Sequence, residues 1–133
     1  MTSIPARSPF YKDFDFRFLA HPVTGKLAIL KNADAIKQAV KLLVTTNRFE
    51  RPFKPLLGST VIVHLFENFS PITVADIKFA IKTAIDEYEP RAILLDVTVT
   101  GDPDSALVDV TVTFRPINQK LPVETTLRLT RLR

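Results

Sequence analysis

The 133-residue chain contains no cysteine. That excludes disulfides, thiolate metal sites and cysteine nucleophiles, and it suits a reducing compartment. Glycine is nearly as scarce: Gly25, Gly58 and Gly101 stand far apart and cannot form a glycine-rich phosphate cradle. The two histidines, His21 and His64, are distant in sequence and are read as having no HxxE or HxH spacing, and His64 sits in an apolar run that suits a satisfied, half-buried imidazole better than a ligand. Serines at 3, 8, 59, 70 and 105 fall in no nucleophile-elbow sequence. No apolar run is long enough to span a bilayer, and the opening MTSIPARSPF lacks the apolar core of a signal peptide. The chain is expected to use no cofactor or metal, to avoid membranes, and to stay where it is made unless it leaves within a larger particle.

What is present points to one folded unit. Hydrophobic residues make up 46% of the chain and charged ones 24%, enough for one domain with a core and too apolar for wholesale disorder. Residues 1–13, with Pro5 and Pro9 and no periodicity, read as a flexible arm, and 14–133 as the domain. The net charge of +4 is unevenly spread. Residues 1–55 carry ten Lys/Arg against four Asp/Glu, residues 56–114 three against nine, and residues 115–133 five against one. Opposite signs on separate surfaces suit a protein held between several partners. The basic residues are neither interleaved with aromatics nor gathered on one helix face, so no nucleic-acid partner is expected.

Periodicity orders the elements as ββ, α, loop, α, α, βββ, an α+β fold with helices packed on an antiparallel sheet. FDFRFLAHPVTGKLAILK reads as a hairpin turning at Thr24-Gly25. NADAIKQAVKLLVTTN is a helix capped by Asn32 or Asp34, with Ile36, Ala39, Val40, Leu43 and Val44 as its buried stripe. In RFERPFKPLLGS, Pro52 and Pro55 forbid a regular element, and Phe53, Leu56 and Leu57 are expected to anchor the loop on the core. STVIVHLFEN is read as a short helix, with a strand as the rival. SPITVADIKFAIKTAIDEY is the long helix, with Thr73 as N-cap and Asp76 completing a capping box. Its buried stripe is Ile77, Ile81, Ala84, Ile85 and Tyr88, and Pro90 ends it. Three alternating strands follow. The first buries Ile93, Leu95, Val97 and Val99, the second Val108, Val110, Val112 and Phe114, and the last Val123, Thr125, Leu127 and Leu129. The last is expected to be an edge, either guarded by its basic residues or open to a partner.

The remaining route to catalysis is a carboxylate pair of the kind used in sugar hydrolysis, drawn from Glu50, Glu67, Glu87 and Glu89 with Asp86 or Asp96. Arg91 beside Glu89 favours the ionised form, the wrong direction for a general acid. Solvated or paired acids are the better reading.

Three segments then stand out together: ERPFKPLLGS (50–59), LFENFSPIT (65–73) and YEPR (88–91). In this order and spacing they resemble the small baseplate wedge proteins of contractile-tailed bacteriophages, the lysozyme-like gene W and T4 gene 25 type. That family also includes a baseplate component of type VI secretion systems. The resemblance covers residues 32–115, with Lys54 and Leu56-Leu57 departing from the acid and aromatic common in phage relatives.

The resemblance implies a fold like the core of the sheath subunit and a place in the virion's tail baseplate after synthesis in the host cytoplasm. It implies several copies around a six-fold baseplate. The partners would be the wedge proteins' core bundle, the tail sheath protein and the tail tube. The implied interface is Glu89, Pro90 and Arg91 at the core bundle, Arg51 and Phe53 in the preceding loop, and Thr125, Leu127, Leu129 and Arg131 on a last strand shared with sheath by β-augmentation. Replacing Glu89 or Arg91 is then expected to block assembly and leave folding largely intact. A peptidoglycan-degrading lysozyme and a type VI secretion subunit are the alternatives.

Overall fold

A computed structural model describes residues 11–131. Eight elements follow one another in the expected order: β1 (Lys12–Phe14), β2 (Ile29–Lys31), α1 (Ala33–Thr45), α2 (Val61–Leu65), α3 (Pro71–Tyr88), β3 (Ala92–Gly101), β4 (Leu107–Pro116) and β5 (Val123–Thr130). β3, β4 and β5 form an antiparallel meander in that spatial order, and β1 pairs with β2 in a separate two-stranded ribbon. The helices cover one face of the meander. Ile36, Val40 and Val44 of α1, Val61 of α2 and Ile77, Ile81 and Ile85 of α3 meet Val108, Val110, Val112 and Phe114 of the central strand in one buried core. The opposite face is polar. There Thr98, Thr111 and Thr126 lie in one row across the three strands, beside a row of Thr100, Asp109 and Arg128.

Strand β1 takes in Lys12 and Asp13, which the sequence assigned to a loose arm; the preceding residues, 1–10, lie outside the described ones. The N-terminal hairpin is there, with Gly25 at positive φ in its turn, but each paired strand is three residues long. One side chain of α1 holds the hairpin at two points. Gln38 accepts from the Phe16 N–H at 3.0 Å and donates to the Phe14 carbonyl at 2.7 Å.

Several local expectations are corrected. Asn32 occupies the N-cap position of α1, yet its side chain makes no cap; its Oδ1 accepts from the Tyr11 N–H instead, joining helix start to hairpin. In α3 the N-cap is Ser70, three residues before Thr73. Its hydroxyl accepts from Thr73 N, and Pro71 fills the first helical position, where its missing N–H costs nothing. The stripe on β3 also changes parity. Leu94 faces Phe114 and Asp96 faces Thr113, so Leu95 is an inserted bulge residue. Before it Ala92 and Leu94 point toward the helices, and after it Val97 and Val99 do, leaving Ile93 and Leu95 exposed rather than buried. Strict alternation carries no sign of a bulge, and a one-residue shift moves every following side chain to the other face.

Candidate functional site: a docking corner and a sheet edge

The helix-to-strand corner is built from its sequence neighbours. Pro90 offers no N–H to continue the helix, and Glu89, in the cap position, donates its N–H to Ile85 at 2.9 Å. Two residues on, Arg91 turns back onto Glu89. Its Nε donates to Glu89 Oε1 at 2.6 Å and its Nη2 to Oε2 at 2.8 Å, a bidentate pair. The Glu89 side chain is only 7% exposed and that of Arg91 29%. Hydrogen bonding to Glu89 raises the Arg91 guanidinium above its ordinary value, against the opposing effect of desolvation. The guanidinium also lies 5.3 Å from the ring centre of Tyr11, so the corner grips the start of the hairpin.

Both oxygens of Glu89 are therefore occupied within the molecule, which argues against the expectation that Arg91 can be removed with folding largely intact. A carboxylate taken out of water needs its partner, and deleting the arginine leaves it without one.

The loop at residues 47–58 meets this corner. The groove beside the corner is lined by Arg51 and Leu57 from the loop, Tyr88 and Glu89 from the end of α3, and Asp13 from β1. The sequence segments ERPF and YEPR are thus neighbours in space. The loop is fixed through its backbone: the Tyr88 hydroxyl donates to the Leu56 carbonyl at 2.7 Å and Phe49 N to Pro55 O at 2.6 Å, and just past it Ser59 N donates to Thr46 O at 2.9 Å. Gly58, at φ +123°, brings the chain so close to the Thr46 carbonyl that a Cβ would clash with it.

The expected side-chain anchors are mostly not anchors. Phe53 is 97% exposed, Leu56 also faces solvent, and of the three only Leu57 packs against the core. Sequence pattern registers an apolar residue in a rigid loop, but it does not reveal that backbone hydrogen bonds already hold that loop.

The last strand runs along the other edge of the sheet, from Val123 opposite Phe114 near the corner end to Thr130 at the far end. Ala92 of β3 pairs with Pro116 at the corner end of the sheet, whereas Leu107 pairs with Thr130 at the far end, roughly 30 Å away at a strand's rise per residue. Thr125 and Leu127 are buried and Leu129 packs against the core, so these three offer no side chains to a partner. What β5 offers is its backbone, since one side pairs with β4 and the other is an edge among the described residues. Arg131 finishes the strand. It donates to the carbonyls of Pro103 at 3.3 Å and Glu67 at 3.2 Å, and it lies 5.9 Å from the Phe69 ring centre.

One juxtaposition escaped the sequence reading. His64 and Glu67 stand three residues apart at the end of α2, a His-x-x-Glu spacing that corrects the expectation of none, and Asp76 of α3 completes the group. The His64 Nδ1 is buried and makes no hydrogen bond, so this histidine is not the satisfied one expected.

A rigid corner, an exposed apolar loop and an open sheet edge on a small α+β body define an assembly module. Comparison with known proteins gives the family. Residues 31–120 match the model of the family described as baseplate wedge protein gp25, and the chain belongs to that family. Over 65 residues it is 37% identical to the baseplate wedge protein gp25 of Enterobacteria phage T4, a match spanning 49% of each chain. Solved structures share the fold. A candidate tail lysozyme from Geobacter sulfurreducens has a TM-score of 0.66 at 21% identity over 74% of this chain and 89% of its own. A chain of the anti-feeding prophage baseplate has 0.62 at 21% over 92% and 87%, and one of the pyocin R2 baseplate 0.61 at 19% over 83% and 100%. The protein is thus a member of the gp25-like baseplate wedge family, with a fold shared by subunits of the anti-feeding prophage and pyocin R2 baseplates.

Proposed function

We propose that the chain is an inner wedge subunit that docks on the wedge core bundle and starts the sheath. Several copies would stand around the six-fold baseplate, near the tail tube. The corner at Glu89–Arg91 and the loop carrying Arg51 and Phe53 form the docking surface, with the corner holding the loop's frame and Phe53 supplying an exposed apolar anchor. The edge of β5 receives a strand from the first sheath ring. The observation that carries this is the sheet order β3-β4-β5, which among the described residues leaves β5 with a free backbone edge and its inward side chains Thr125 and Leu127 already buried.

Catalysis is not part of this reading. Glu89, which lines the groove, spends both oxygens on Arg91, and the Glu50 carboxylate accepts from Asn47 N at 2.9 Å. A cell-wall turbidity assay with the purified chain is expected to show no clearing; clearing would revive the lysozyme alternative.

The test of the edge is a photo-cross-linking residue at Thr126 or Arg128, on the outer face of β5. In assembled tails the adduct is expected to contain the sheath protein. Adducts with other baseplate proteins and none with sheath would retire the sheath-initiating role. For the docking surface, Phe53→Ala and Arg51→Glu are expected to reduce incorporation into baseplates, and normal incorporation of both would remove the loop from it.

A further inference from the structure

The cluster at the end of α2 has a chemistry that assembly does not use. His64 stands in the last turn of α2, and the Glu67 N–H donates to the His64 carbonyl at 3.2 Å, a turn that sets the two side chains on the same side. Asp76 reaches the same point from α3. One ligand atom from each residue can be chosen so that all three lie within 4.8 Å of one another. His64 Nδ1 and Glu67 Oε1 are 3.4 Å apart, within ion-pair reach but not in hydrogen-bond geometry, and Nδ1 is buried without a hydrogen-bond partner. A buried imidazole nitrogen beside one carboxylate, with a second carboxylate in the same cluster, needs either a proton to share or a cation to bind.

We propose that His64, Glu67 and Asp76 bind a divalent transition-metal ion, with Zn²⁺ as the fitting probe. Metal–ligand bonds of about 2.0 to 2.2 Å set neighbouring ligand atoms roughly 3.3 Å apart in a tetrahedron, close to the separation of the first pair. Small rotations of the Glu67 and Asp76 side chains, the first exposed and the second half-buried, would close the remaining gap. Two carboxylates balance the ion's charge, one imidazole favours zinc, cobalt or nickel over magnesium, and water fills the fourth position.

The ion would join α2 to α3 across the turn whose Glu67 carbonyl receives Arg131. Metal occupancy would thereby stiffen the anchor at the end of β5.

The experiment uses the full chain freed of metal by chelator. Zn²⁺ is expected to raise the unfolding midpoint by roughly 10 °C at a hundredfold excess over its Kd, where Mg²⁺ does little. Co²⁺ is expected to give visible d–d absorption bands. Both signals should vanish in His64→Gln and in Asp76→Asn and persist in His21→Ala. The wild-type measurements need no variant, so a substitution that fails to fold leaves the test intact. No midpoint shift and no cobalt bands at millimolar metal overturn the proposal, as does a signal that survives either site substitution.

Discussion

The corner at Glu89–Arg91 and the loop at residues 47–58 border one groove, yet they solve opposite problems. The corner buries charge and satisfies it: a carboxylate with almost no exposure, gripped by a guanidinium that also covers Tyr11. The loop does the reverse, fixing its backbone by hydrogen bonds and leaving Phe53 and Leu56 to solvent. A buried, internally paired group contributes mainly to holding a shape. An exposed apolar group on a rigid support costs little to the free protein and becomes favourable when a partner covers it. The two segments that stand out together in the sequence therefore divide the work, one as frame and the other as contact.

The sharpest way to break this division is Arg91→Ala. It leaves Glu89 buried and unpaired, and urea unfolding is expected to show a loss of about 3 to 5 kcal/mol. A loss below about 1 kcal/mol would mean that the pair behaves like an exposed one and that the corner is not the frame. Next comes Gly58→Ala, which places a Cβ against the Thr46 carbonyl at a φ that side chains rarely adopt. A loss of roughly 2 to 3 kcal/mol is expected, read from the same curves, and a neutral result would show that the loop's backbone frame is pliable.

A smaller effect separates the corner from the hairpin. Asp15 is buried, and hydrogen bonds from Arg17, side chain first and backbone second, hold its carboxyl below the usual range. The folded pKa lies below the unfolded value of about 3.9, so its contribution is complete above that pH and is lost as pH falls through the folded value. Asp15→Asn should therefore flatten the acid limb of the stability profile below about pH 4 and leave the neutral region's slope unchanged. A change of slope confined to neutral pH would assign the acid sensitivity elsewhere. Phe53→Ala should have the least effect on the isolated protein, within about 0.5 kcal/mol, because the ring touches solvent almost everywhere. A larger loss in urea would make Phe53 part of the frame.

The sequence carried much of this architecture because the helices and the central strand bury strong periodic stripes. Ile36, Val40 and Val44, or Val108 through Phe114, can face only one way without exposing a row of branched side chains. Legibility failed where the determining group was remote or was an irregularity of one residue. Leu95 bulges without any glycine or turn residue to announce it. Ser70 caps α3 because Pro71 starts the helix there, a signal present in the sequence and outweighed by the Thr73–Asp76 spacing. In the candidate site, Arg51 and Glu89 sit far apart in the chain and meet through the packing of α1 against α3. Only the family resemblance put them together beforehand. The role of the Leu56 carbonyl as acceptor for Tyr88 could not be read at all, since every residue has a carbonyl.

The clamp between Gln38 and the hairpin has a consequence for how such a protein can change. Its two bonds go to the N–H of Phe16 and the carbonyl of Phe14, groups that nearly any residue would present in the same place. The hairpin's position is thus written in the helix, while the side chains it displays, Phe14, Phe16 and Phe18, project outward and answer to no internal partner in the core. Substitutions there can alter what this surface recognises without shifting where it stands. That is the condition under which a subunit can keep its place in an assembly while its neighbour is replaced.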